Sequence, residues 1–204
     1  VLVYSDDLSL PHCGAPGYVL MEDDQAAPGA DAFLVCLNTH GLVGEQASTD
    51  EVEISVSRDD LIPLPKAAAD VALMRAAHAN LARCSMQVGR VGWAARHAGI
   101  AFALARFAVN FSTAASTLDS HSHSHSYSFN DSDSDKCSRR KAMTDALTLR
   151  CKAMIKAGRS GLAAIDATLL SDVATEGGCV EMTERVSTQL RAIEADISHF
   201  RKAR

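Results

Sequence analysis

Aromatic residues make up only 5% of the chain: one Trp, three Tyr and six Phe in 204 residues. Such scarcity removes most of the large anchors that a thick mixed core or a base-stacking surface would use. It also argues against direct base recognition, since the mild basic excess of residues 66–204 lies on sequence with no aromatic interleaving. Prolines number five, and two of them, Pro63 and Pro65, stand together just before a helical pattern begins at Lys66. None of the six cysteines, at 13, 36, 84, 137, 151 and 179, forms a C-x-x-C pair. That spacing argues against a disulfide scaffold and favours a reducing, intracellular compartment, cytoplasm or nucleus.

Catalytic signatures are missing too. There is no G-x-S-x-G, no P-loop, no Rossmann glycine pattern and no H-E-x-x-H. We expect a non-enzymatic protein without a cofactor or a metal site. No apolar run reaches the length of a membrane span: the nearest, Gly99 to Ala115, is interrupted by Arg106 and Asn110. Residues 1–7 have neither a basic region nor a long apolar run, so they do not resemble a signal or transit peptide. A start at Val1 rather than Met fits a processed chain or a piece of a longer one.

Charge is divided unevenly. Residues 1–65 carry twelve acids against Arg58 alone, a balance of −11, and residues 66–204 carry thirteen acids against nineteen Lys or Arg, a balance of +6. The acidic piece reads as β structure. Its short apolar or alternating runs, 1–4, 18–21, 33–37 and 52–56, are punctuated by Gly, Pro, Asp and Asn. Val52, Ile54 and Val56 alternate with Glu51, Glu53, Ser55 and Ser57, the pattern of a strand with one polar face. Sixty-five residues are few for an independent core, so this module is expected to lean on the helices or on a partner.

Alanine dominates residues 66–118, which read as one long helix with a break or kink near Gly89–Gly92 as an option. A stripe of Val71, Met74, His78, Leu81, Val88 and Val91 lies roughly opposite Arg75, Arg83 and Arg90. Further on, Trp93, His97, Ile100, Leu104, Phe107 and Phe111 step 4-3-4-3-4, and a parallel set from Val91 to Val109 steps likewise. Two seams on one helix require neighbours on at least two sides. Residues 119–138 are a His/Ser/Asp low-complexity stretch, read as a disordered linker. Over 139–204 two helices are expected, about 139–175 and 179–203, joined at Gly177-Gly178. The first follows an eleven-residue pattern from Met143 to Val173; the second follows a near-heptad seam that includes Val186, Ile193, Ile197 and Phe200. No internal repeat beyond these periodicities is evident.

The fold class expected is therefore mainly α: an elongated helical bundle or coiled coil with a small acidic β-containing N-terminal module. The function expected is a structural or adaptor subunit of a multiprotein assembly, joined to other subunits or to its own copies through the seams. The alternative is a membrane-trafficking tether or fusion-related coiled coil, and after it a small metal-binding protein or enzyme. Asp6, Asp7, Asp23, Asp24, Asp59 and Asp60 are the candidates for facing a basic partner, or for docking internally on Arg75, Arg83 and Arg90. Ser128 and Ser132, each with Asp three residues on, fit acidophilic phosphorylation close to Arg139-Arg140-Lys141. Two sets carry metal-ligating side chains, His121, His123 and His125, and His12, Cys13, Cys36 and His40, and both are expected to be incidental rather than metal sites.

Overall fold

Two turns organise the helical part. In the computed structural model, which describes residues 1–8, 10, 13–22, 31–37, 52–65, 67–114, 133–176 and 180–202, five helices follow a small β region. They are α1 (Ala68–Gln87), α2 (Val91–Ala114), α3 (Asp133–Lys156), α4 (Ser160–Glu176) and α5 (Val180–Lys202). The long helix expected over 66–118 is thus two helices, and the one expected over 139–175 is also two. Both breaks have the same cause. Gly89 and Gly158 adopt left-handed backbone, φ 77° and 75°. At the first, the N–H of Gly89 donates to the Met86 carbonyl and that of Arg90 to the Ser85 carbonyl. At the second, Gly158 donates to Ile155 and Arg159 to Met154. Each is a Schellman stop. In each, the carbonyl of the following arginine accepts the first bond of the next helix, from Ala94 or Ala163.

The equivalence is written in the chain as a hexapeptide, Gly-Arg-x-Gly-x-Ala, at 89–94 and at 158–163. It is an internal repeat that periodicity counting overlooks, because it marks where helices stop. Its final alanines, Ala94 and Ala163, are fully buried. The eleven-residue pattern drawn through Gly158 loses phase at this turn. Ile165 comes out exposed, while Ala163, Ala167, Leu170, Val173 and Ala174 face the core. Helix α3 begins at Asp133, inside the stretch read as linker; the remainder of that stretch, with Ser128 and Ser132, lies outside the described residues.

Helix α2 is central and packs against α1 on one side and α3 on the other; α4 packs on α3, and α5 on α4 and α3. Small residues permit this close layering: Ala94, Ala95, Ala98, Ala101, Ala103, Ala105 and Ala108 are all buried along α2. From the expected seams, Ile100, Leu104, Phe107, Val186, Ile193 and Ile197 are buried. Trp93 is not. It is 62% exposed, one turn after the α1–α2 corner and lying against His97. The side chains of Phe111 and Phe200 lie outside the description. No helix among the described residues is long and apolar enough to cross a membrane.

The β region has two parts. Strands β2 (Gly17–Glu22), β3 (Ala32–Leu37) and β4 (Val52–Ser57) form an antiparallel sheet in that order. Strands β1 (Leu2–Val3) and β5 (Leu61–Ile62) pair separately, Leu2 with Ile62 and Val3 with Leu61. Alternation along this ribbon divides the interior. Leu2, Tyr4 and Ile62 join the helical core, while Val3, with Leu61 beside it, joins Ala15, Val35, Leu37 and Val56 under the sheet. The N-terminal module is accordingly sealed onto the helices by its own first strand.

The two glycines of the second turn separate backbone strain from packing. Gly158→Ala forces a Cβ into left-handed backbone and should lower the unfolding free energy by about 1–2 kcal/mol. A Cβ at Gly161 meets nothing within 4 Å. Gly161→Ala should therefore leave stability unchanged or raise it by about 0.5 kcal/mol. Urea denaturation of the two variants measures the contrast.

Candidate functional site

A cluster of polar side chains lies where the N-terminal segment crosses α2 and α3. Tyr4 is buried with its ring laid over Gly99: a Cβ at that glycine would sit 2.7 Å from the ring. Its hydroxyl donates to Asp6 Oδ1 at 2.9 Å, and the Arg96 guanidinium stands 5.3 Å from the ring centroid. Burial pushes the Tyr4 phenol well above its ordinary range. Gly14, at φ 81°, allows the loop after β1 to approach the Ala103 carbonyl on α2.

Three arginines hold this segment. Arg96 donates to the Asp59 carbonyl and pairs with the Asp60 carboxylate at 3.6 Å. Arg106 Nη1 faces the carbonyls of Leu8, Leu10 and Cys13 at 3.4, 3.4 and 3.2 Å. Arg150, from α3, donates to the Asp6 carbonyl and pairs through Nε with Asp166 Oδ2 of α4 at 3.4 Å. Of the acids named above, Asp60 sets its carboxylate against Arg96, while Asp59 and Asp6 offer Arg96 and Arg150 their backbone carbonyls. Among the described residues no acid of the module is shown paired with Arg75, Arg83 or Arg90: Arg83 donates to Asn80, and Arg75 is half-buried, its pKa lowered by burial and then by Arg139. Helical angle alone could not select the right three arginines, because which ridge meets the module depends on the α1–α2 corner. Asp23 and Asp24 lie outside the described residues.

The Arg150–Asp166 pair is sealed, with side chains 0% and 2% exposed. Arg150 Nη1 has no hydrogen-bond partner, and the Nε–Oδ2 approach is an ion pair without hydrogen-bond geometry. Burial lifts the Asp166 carboxyl from 3.8 to about 6, against the pull of Arg150 and with smaller upward pushes from Asp7 and Asp6. Beside it, burial raises the Cys151 thiol to about 12, and its Sγ donates to the Ala163 carbonyl. Cys13, held against the Ser5 carbonyl, is raised to about 11. These shifts run opposite to what a nucleophilic thiolate requires. A perturbed carboxyl can mark an active site, but this one is only 2% exposed and is paired with the arginine that ties three elements together.

The surface offers different chemistry. Among the described residues strand β2 forms an edge of its sheet, and Tyr18, Val19, Leu20 and Met21 are all exposed; its pairing shifts register between Val19 and Met21. A groove of about 630 Å³ runs between α4 and α5, lined by Ala164, Ala167, Ser171, Leu190, Glu194 and Ile197 among others. On α1 and α2, His78 and His97 face each other. No group of three or more His, Cys, Asp or Glu side chains converges as a metal set among the described residues. His12 and His40, from one of the sets considered above, lie outside them.

The buried pair sets a pH dependence. The unfolded chain releases the Asp166 proton near 3.8 and the folded chain near 6. Between these values the folded state holds the extra proton, so this carboxyl lowers stability as pH rises through the window. Thermal melts across it should show that slope, and Asp166→Asn should flatten it. Arg150→Met should cost about 3–5 kcal/mol at neutral pH, where it strands an ionised carboxylate, and less below pH 6, where Asp166 is protonated.

No protein-family model, curated protein or solved structure matches this chain.

Proposed function

We propose that this protein is a non-enzymatic adaptor subunit. Its N-terminal sheet receives an extended, basic segment of a partner protein along β2. The helices form the platform that holds the sheet in place. The observation that carries this reading is the exposure of strand β2: four successive large apolar side chains, Met21 at 62%, on the edge of the sheet among the described residues. A sheet edge is a template for another strand, and proteins usually protect such edges with charge, proline or a bulge. Here Glu22 is the only charge on the strand.

Charge defines the partner. The −11 balance of residues 1–65 favours a segment in which Lys or Arg alternates with apolar residues. Asp59 and Asp60 are partly committed to Arg96. The recognition surface on this reading therefore rests on the strand rather than on those acids. The raised thiols and the sealed Asp166 support a role without chemistry.

A short peptide alternating Lys and Val, titrated by fluorescence anisotropy against the full chain, should bind, and weaken as salt rises. A Glu/Val peptide of the same length should not. Val19→Lys with Met21→Lys should remove binding while shifting stability by no more than about 0.5 kcal/mol. Equal binding of both peptides, or binding that survives the double substitution, would count against the reading.

A further inference from the structure

The α1–α2 hairpin carries a feature that strand recognition does not use. His78 on α1 and His97 on α2 bring their Nδ1 atoms to 3.0 Å, with ring centroids 5.1 Å apart and planes tilted by 46°. At this distance two bare lone pairs would repel, so a shared proton must sit between them, one ring donating and the other accepting. A cation can take the place of that proton. Zn–N bonds of about 2.05 Å at a tetrahedral angle place two ligating nitrogens about 3.3 Å apart. The observed gap needs only a few tenths of an ångström of opening, within the freedom of two half-buried side chains on neighbouring helices.

The geometry points to a divalent transition-metal site at His78 and His97, binding Zn²⁺, Ni²⁺ or Cu²⁺ through both Nδ1 atoms, with water completing the coordination. Imidazole suits these borderline ions and not Mg²⁺ or Ca²⁺. Burial, followed by the His97 charge for His78 and the Arg96 charge for His97, holds both rings below the ordinary histidine value of 6.5. They are thus neutral at neutral pH, and the donating ring need only carry its proton on Nε2 instead of Nδ1 to offer the second lone pair. Arg96 is the cation that opposes a metal here, and its guanidinium is drawn away by Asp59 and Asp60. A bound ion would cross-link the two helices close to their corner and so favour the folded hairpin.

The chain supplies its own reporter. Trp93, the sole tryptophan, lies 5.7 Å from the His97 ring. Ni²⁺ quenches indole emission at short range. The test uses the full chain with His121, His123 and His125 changed to Ser, since those three can take the same ions. In that chain, Ni²⁺ should quench Trp93 saturably at one ion per chain, Zn²⁺ should compete, and Mg²⁺ should not. The melting temperature should rise with Ni²⁺ or Zn²⁺. His78→Ala and His97→Ala should each abolish the saturable phase. His78→Gln and His97→Gln, which retain bulk, should do the same with circular dichroism unchanged, so that loss of a ligand is separated from loss of fold. Quenching that persists in either His78 or His97 variant, or that disappears when only the 121, 123 and 125 histidines are replaced, would overturn the assignment.

Discussion

A single buried guanidinium ties three parts of this fold together. Arg150 belongs to α3, pairs with Asp166 of α4 and donates to the carbonyl of Asp6 in the N-terminal segment. Two consecutive helices and the distant N-terminal segment meet at one charge that is sealed from solvent. Such a pair contributes little net stability, because desolvation of both ions offsets their attraction. What it contributes is position. With the charge in place, the N-terminal segment can lie across α2 and α3 in essentially one way, and Tyr4, Arg96 and Arg106 complete that arrangement.

The rest of the molecule follows from this fixed crossing. Strand β1 carries alternate side chains into two cores, so the sheet cannot separate from the helices without exposing Leu2, Tyr4 and Ile62. The acidic module is therefore a part of the helical body that projects a sheet, and the arginines beneath it absorb some of its charge. What remains available outside is the apolar edge of β2, the groove between α4 and α5, and the histidine pair with Trp93. The polar groups are structural where they are buried, and the candidates for recognition are on the surface. That division is consistent with an adaptor.

The twin corners at Gly89 and Gly158 decide how the helices layer. Each reverses the chain within three residues and starts the next helix from the carbonyl of the arginine that ends the turn. The same solution used twice lets α2 sit between α1 and α3 with alanines in contact, and brings α4 back over α3. The hairpin it creates at α1–α2 is what places His78 opposite His97, nineteen residues apart in sequence.

Composition and periodicity alone determined a good deal. Alanine content and the 3.6-residue pattern established a mainly helical protein with small-residue packing, and the alternation of Val52, Ile54 and Val56 marked a strand. The seam positions Ile100, Leu104, Phe107, Val186, Ile193 and Ile197 could be read because burial repeats with the helical turn. The repeated Gly-Arg-x-Gly-x-Ala was legible too, although a search for apolar period passes over it. Tertiary structure decided the rest. Whether Gly89 kinks a helix or reverses it depends on a left-handed φ that a glycine permits but does not require. Which arginines meet the acids, and which histidine meets which, depends on that reversal, since a side chain on a helix acquires partners only once a neighbour is laid against it.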